Sequence, residues 1–175
     1  MIIAAPAGAG KTNLMVNLVY DIGPSFDHII LFCKTYPNEP LHQMLPVSEK
    51  LRVIKHAKDL PDSPQNTLLV VDDMLSDDPE EIAHLRAFAA RAPDASIMYI
   101  TQSYRVVPRR IRESARYIVV RRICSEGDFK AIQVNAGVSM SELMECYKNL
   151  TDNFLTIDCK EHTIRADIDG AYDTE

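Results

Sequence analysis

Ala5-Pro6-Ala7-Gly8-Ala9-Gly10-Lys11-Thr12 follows the apolar Met1-Ile2-Ile3-Ala4 and precedes Asn13 to Asp21, a run with helical character. A strand, a glycine-bearing loop and a helix in that order form a phosphate-binding P-loop. The glycines let backbone N–H groups turn inward as an anion nest, and the helix adds its positive N-terminal end. This pattern predicts an ATP site lined by Ala7, Gly8, Ala9, Gly10, Lys11, Thr12 and Asn13. Lys11 reaches the β- and γ-phosphates, and Thr12 offers its hydroxyl to Mg²⁺. Ala5 stands where G-x-x-x-x-G-K-[ST] has its first glycine, and Pro6 removes one N–H at the loop entrance. That first position needs a tight turn more than contact with phosphate, so a small residue serves if its backbone angles stay in an allowed region. With so few residues ahead of the loop, a short first strand and a reading frame without an N-terminal extension are expected.

Thr67-Leu68-Leu69-Val70-Val71-Asp72-Asp73 is an apolar strand ending in two carboxylates, the Walker B pattern. A buried strand would bring Asp72 to its carboxyl edge beside the P-loop, where it holds Mg²⁺, and the next residue toward the γ-phosphate. Asp73 is therefore the general-base candidate, one methylene shorter than the glutamate often found there. The competing reading is a strand followed by an Asp-rich turn, because Ser76, Asp77 and Asp78 continue the polar stretch. The strand Ile97-Met98-Tyr99-Ile100-Thr101 ends in Gln102-Ser103. If an additional strand lies between the two Walker strands, Gln102 can sense the γ-phosphate or hold the lytic water. Arg86 and Arg91 fall away from the chain's own phosphates. Arg91 suits either a finger acting on a neighbour's nucleotide or a cation complementing a helix C-terminus.

The 175 residues fit one domain, enough to bury roughly 70% of the unfolded surface. Cys33, Cys124, Cys146 and Cys159 are widely spaced and include no C-x-x-C pair, so neither a zinc site nor a disulfide framework is expected. Reduced thiols, no signal peptide and no apolar run of membrane-spanning length point to a soluble intracellular protein. A net charge of −6 argues against a uniformly basic nucleic-acid coat. Yet Arg105, Arg109, Arg110, Arg112, Arg116, Arg121 and Arg122 face the single acid Glu113 over one short stretch. Those side chains suit a solvated surface with ordinary ion pairs, the backbone of double-stranded DNA, or a neighbouring subunit's nucleotide.

Apolar, β-branched runs recur at Ile2 to Ala4, His28 to Cys33, Leu51 to Lys55, Thr67 to Val71, Ser96 to Thr101 and Tyr117 to Arg121. Helical patterns fall at Lys11 to Tyr20 and Pro79 to Ala92, with Pro79, Glu80 and Glu81 suited to a first turn. Such alternation predicts an α/β fold with a mostly parallel central sheet flanked by helices. Tyr36 to Pro46 and Leu60 to Asn66 are proline-bearing loops. Beyond Arg122, helices are expected over Glu126 to Val134 and Ser139 to Asn149, where Ser139 and Glu142 have capping-box spacing. A C-terminal β-hairpin of Phe154 to Asp158 and Thr163 to Asp167 turns at Cys159 to His162. The expected organisation is a single P-loop ATPase domain over 1–175, with a core at 1–122, helices and hairpin at 123–168 and a frayed acidic tail at 169–175.

The order of these motifs, His28-Ile29-Ile30-Leu31-Phe32 after the P-loop, then Asp72-Asp73, then Thr101-Gln102-Ser103-Tyr104-Arg105-Val106-Val107-Pro108 and Arg112, resembles the genome-packaging ATPases of poxviruses, related large DNA viruses and virophages. These lie within the FtsK/HerA superfamily. The resemblance spans about residues 1 to 165, and its most specific parts are the paired aspartates and the Gln-x-Tyr-Arg-x-x-Pro segment. It implies a P-loop NTPase of the additional-strand, RecA- or FtsK-HerA-like type. It also implies ATP and Mg²⁺ as cofactors, Lys11 at the phosphates, Thr12 and Asp72 at the metal, Asp73 as base, Gln102 as γ-phosphate sensor and Arg91 as the finger. The implied activity is translocation of double-stranded DNA into a capsid by a homo-oligomeric ring. Arg105, Arg109, Arg110 and Arg112 would face DNA or the adjacent subunit, and capsid or portal-vertex proteins would be partners. The implied location is the host cytoplasm or viral factory, or association with the virion. A nucleoside or nucleotide kinase is a P-loop enzyme of similar size that clamps phosphates with arginines, but it does not usually need adjacent carboxylates at a strand end. An AAA-like or phage-morphogenesis assembly ATPase would keep the site and drop translocation.

Overall fold

Strands rich in Ile, Leu and Val become buried on both faces when each is followed by a segment that carries the chain back to start the next one in parallel. The computed structural model describes residues 1–36, 38, 42, 44–45, 49–62, 64–72, 78–122, 125–150 and 154–165. Its elements in chain order are β1 (Ile2–Ala4), α1 (Lys11–Ile22), β2 (His28–Phe32), β3 (Leu51–Ile54), β4 (Thr67–Asp72), α2 (Pro79–Arg91), β5 (Ser96–Thr101), α3 (Arg109–Glu113), β6 (Tyr117–Val120), α4 (Glu126–Ala136), α5 (Met140–Lys148), β7 (Leu155–Asp158) and β8 (Thr163–Arg165). Two compact units result, one of Gly10–Ile100 and one of Met1–Ala9 with Thr101–Glu175.

In the unit Gly10–Ile100 the strands run β3-β2-β4-β5, each parallel to its neighbour. β4 is buried along its whole length, and Leu68, Leu69, Val70 and Val71 are all within 1% of full burial. Its register sets His28 opposite Thr67, Phe32 opposite Val71, and Asp72 opposite Ile100. α1 has 12 residues, about 18 Å, which returns the chain from the P-loop to the start of β2. α2 opens on an Asp78 cap that accepts from Glu80 N–H at 3.0 Å, with Pro79 in its first turn. Phe88 and Leu85 bury its inner face. Glu81 is buried as well, and its carboxylate accepts from Ala57 N–H at 2.5 Å, so the acid ties α2 to the turn after β3.

In the other unit β1 pairs β6 in parallel, with Ile2 opposite Ile118, and β6-β7-β8 continue antiparallel. Within this unit Ala5 N–H donates to Thr101 C=O at 3.1 Å. Ser125 caps α4 by accepting from Asp128 N–H at 3.0 Å, and Ser139 caps α5 by accepting from Glu142 N–H at 3.1 Å, as its spacing predicts. α4 ends on Gly137 at φ 67°, where a Cβ would also stand 2.8 Å from His162 Nδ1; both angle and space call for glycine.

The α/β class, the mostly parallel strands, the flanking helices and the C-terminal hairpin are those expected. Ends differ. α1 runs two residues past Tyr20 because Gly23 keeps a helical backbone and donates to Val19 C=O. β6 stops at Val120, and Arg122 has a left-handed φ of 51° that turns the chain out of the sheet. The arginine stretch also contains α3, a helix too short for its periodicity to register. Asp73, Cys124, Ala166, Asp167 and the tail at 169–175 lie outside the described residues.

Candidate active site

The loop after β1 takes its shape from two glycines. Gly8 at φ 72° and Gly10 at φ 84° are both left-handed, and Ala9 N–H closes a turn onto Pro6 C=O at 3.3 Å. A Cβ on Gly8 would meet nothing within 4 Å, so backbone angle and not crowding requires glycine there. Ala5 is absent from the positive-φ residues of the described chain, which are Asn66, Arg122 and His162 besides the glycines. An alanine in place of the motif's first glycine therefore carries no backbone strain.

α1 begins on Gly10 with no side-chain cap and no acid in its first turn, and its first ladder bond runs from Leu14 N–H to Gly10 C=O at 3.0 Å. The helix thus presents its N-terminal N–H groups and positive dipole end without a competing carboxylate. Lys11, with 9% exposure, is the first residue of this turn, followed by half-buried Thr12 and exposed Asn13. In the same unit, Asp72 is the last residue of β4 and is 7% exposed. α1 must return to the start of β2, so its N-terminus belongs to the edge where β2 and β4 end. The hydroxyl of Thr12 and the carboxylate of Asp72 are hard oxygen donors of the type Mg²⁺ requires.

Asp72 is not alone. Its Oδ2 lies 2.6 Å from Nε2 of His42, a buried residue of the proline-bearing loop. His42 Nδ1 lies 4.0 Å from Sγ of buried Cys33, and that sulfur lies 3.3 Å from Thr35 Oγ1. The Tyr36 ring stacks at a tilt 6.0 Å from the His42 ring. Burial disfavours the imidazolium, but the Asp72 and Cys33 contacts outweigh it and raise the His42 pKa to about 9. Burial likewise opposes the Cys33 thiolate, and the His42 and Thr35 contacts bring its pKa below the ordinary thiol value. The sequence reading missed His42 and Cys33. Their link to Asp72 crosses thirty or more positions with no local spacing rule to reveal it.

Gln102 follows β5 and is exposed, on a turn held from below. Asp128 of α4, 5% exposed, accepts from Ser103 Oγ at 3.0 and 3.1 Å and from Arg105 N–H at 2.9 Å. Tyr104 is fully buried, its hydroxyl accepts from Asn135 Nδ2 at 2.9 Å, and the Arg112 guanidinium lies 5.5 Å from its ring centre. The tyrosine and following arginine of the Gln-x-Tyr-Arg segment therefore differ in kind: Tyr104 anchors the turn and Arg105 is exposed.

The seven arginines divide by environment. Arg105, Arg109 and Arg110 are exposed, with Arg109 Nε 2.6 Å from Glu113 Oε1. Arg116 lies over Tyr117 and 3.7 Å from Asp158. Arg121 turns inward instead. Its guanidinium donates to Ala9 C=O at 3.0 Å and rests 5.4 Å from the Phe154 ring centre, so it braces the P-loop from the end of β6. Arg91 is the last residue of α2, half-exposed and 3.5 Å from exposed Asp62. Because α2 leads back to the start of β5, Arg91 sits at the strand edge opposite Asp72. Of the predicted site residues, the unit Gly10–Ile100 holds Gly10, Lys11, Thr12, Asn13, Asp72 and Arg91. The other unit holds Ala7, Gly8, Ala9 and Gln102.

No protein-family model and no curated protein matches the sequence. Solved structures do. The genome packaging NTPase B204 from Sulfolobus turreted icosahedral virus 2, in complex with ATP-gammaS, superposes with a TM-score of 0.64 at 14% identity over 94% of each chain. B204, the DNA-packaging ATPase from Sulfolobus turreted icosahedral virus, superposes at 0.65 and 15% identity over the same shares. The fold is thus the one shared with these solved structures, an α/β fold of mostly parallel strands flanked by helices.

Proposed function

We propose that the chain is an ATP-hydrolysing motor that translocates double-stranded DNA into a viral capsid. The observation that carries the reading is that one compact unit holds Lys11 and Thr12 at the open N-terminus of α1 and Asp72 at the end of β4. The segment after Gln102 leads into exposed Arg105, Arg109 and Arg110, which suits contact with a phosphate backbone. The likeness to solved packaging ATPases over nearly the whole chain supports the same reading.

In this mechanism Lys11 and the N–H groups of the P-loop neutralise and orient the phosphates, and Thr12 and Asp72 hold Mg²⁺, which supplies further charge neutralisation when bound. Asp73 takes the proton of the attacking water. Gln102 senses loss of the γ-phosphate, and the turn pinned by Ser103, Tyr104 and Asp128 transmits it to the Arg105–Arg112 segment against DNA. Subunits act as a ring in the infected cell, with Arg91 the candidate to complete a neighbour's site. A capsid or portal-vertex protein is the docking partner.

The test is steady-state ATP hydrolysis with and without double-stranded DNA at low salt, with the mass of the protein measured in solution. Stimulation by DNA in a ring-sized assembly is expected. Replacing Arg109 and Arg110 by Ala should lower DNA affinity about equally for unrelated sequences and flatten its salt dependence, by close to one unit of log–log slope for each phosphate no longer neutralised. Hydrolysis that ignores DNA in a monomer would instead favour a kinase or an assembly ATPase. For the base, Asp73→Asn should retain nucleotide binding while turnover falls by about 10²–10⁴-fold; normal turnover in that variant removes Asp73 from the role.

A further inference from the structure

We propose that Cys33, His42 and Asp72 form a binding site for a soft divalent cation, zinc by its donor set, and that filling it withdraws Asp72 from ATP hydrolysis. The second half of this statement rests on the reading of Asp72 as the carboxylate of the ATP site; the first half does not.

The parallel register of β2 and β4 builds two corners of the site. Phe32 stands opposite Val71, so the next residue of each strand path, Cys33 and Asp72, emerges at the same sheet edge. His42 supplies the third corner from the loop that follows β2. One donor atom from each residue lies within 4.8 Å of the others, and all three residues are buried, at 1%, 2% and 7% exposure. Tetrahedral zinc, with bonds of about 2.0–2.3 Å, separates its donors by roughly 3.3–3.8 Å. Starting no more than 4.8 Å apart, each donor pair therefore has to shift by no more than about 1.5 Å to reach that spacing. Thiolate and imidazole select zinc over magnesium, which takes oxygen donors. Thr35 Oγ1 at the sulfur and the Tyr36 ring beside His42 are the kind of outer contacts that orient ligands. Three protein ligands leave the fourth tetrahedral position to water. A hydrogen-bonded relay is the competing explanation of the cluster, but the 4.0 Å separation of Sγ and Nδ1 is a loose contact for one.

A zinc-bound Asp72 shares its charge with zinc and a thiolate, so zinc should slow hydrolysis. Metal binding and inhibition are separable by experiment. Cobalt(II) titrated into the reduced full-length protein should give a thiolate-to-cobalt charge-transfer band and the visible bands of tetrahedral cobalt, and zinc should bleach both at one equivalent. Cys33→Ser should lose the charge-transfer band and weaken zinc binding by more than the ~10–100-fold that outer-contact changes cost; Cys146→Ser should retain both. Because the band is read first on the wild type, the proposal does not depend on the variant folding. Absence of the band in the wild type, or its survival in folded Cys33→Ser, overturns the metal site. Given the band, one equivalent of zinc should slow wild-type ATP hydrolysis at least tenfold relative to its zinc-free rate. A band with unchanged hydrolysis overturns the regulatory half. A band in a protein that hydrolyses no ATP even without zinc overturns the ATPase reading and leaves the metal site standing.

Discussion

Lys11→Ala should lower ATP hydrolysis by at least about 10²–10³-fold, the scale on which removal of one preorganised charge-stabilising donor acts. Lys11 is the first residue of α1 and is buried, and it belongs to the same compact unit as Asp72. Alanine has a higher helix propensity than lysine and makes no demand on the left-handed Gly10 before it. The fold should therefore survive, seen as an unchanged far-ultraviolet dichroism spectrum, while single-turnover hydrolysis collapses. Hydrolysis at the wild-type rate would remove this loop from catalysis and the ATPase reading with it.

Asp128→Ala should destabilise the protein by about 2–4 kcal/mol. The carboxylate is buried and accepts from Ser103 Oγ and Arg105 N–H, so alanine leaves two part-buried donors without their partner. The cap of α4 is not removed with it, because Ser125 accepts from the backbone N–H of residue 128. Asp128→Asn keeps an acceptor oxygen and should lose less than half as much. Urea unfolding reads the difference as a midpoint lowered by roughly 1–2 M at unchanged slope for the alanine variant. An unshifted midpoint would show that the turn after Gln102 is held by Tyr104 and its Asn135 contact instead.

These two residues mark the boundary of what a one-dimensional reading reaches. Lys11 is legible because a P-loop is local: strand, glycines, lysine and helix are contiguous, and each obeys a short-range rule of backbone angle, dipole or hydrophobic pattern. The same holds for the buried run ending in Asp72, for Pro79 in the first turn of α2 and for the Ser139 cap of α5. Asp128 reads along the chain as one more acid in a first helical turn. Nothing local says that it faces a turn 23 to 25 positions upstream.

The arginine stretch was legible as a concentration of charge and illegible as a division of labour. Arg105, Arg109 and Arg110 are exposed as a basic surface requires, whereas Arg112 covers Tyr104 and Arg121 reaches back 112 positions to the P-loop carbonyl of Ala9. α3 escaped notice because five residues are too few for a helical period to declare itself.

By itself the amino-acid sequence determined the α/β class, the strands and main helices, and which local stretches are candidates for a nucleotide site, since backbone preference and hydrophobic periodicity act over a few residues. Only the tertiary structure decided which distant side chains share a buried space. Strand register brings Cys33 alongside Asp72 and a loop lays His42 between them, because pairing and burial, unlike propensity, join residues without regard to their distance along the chain.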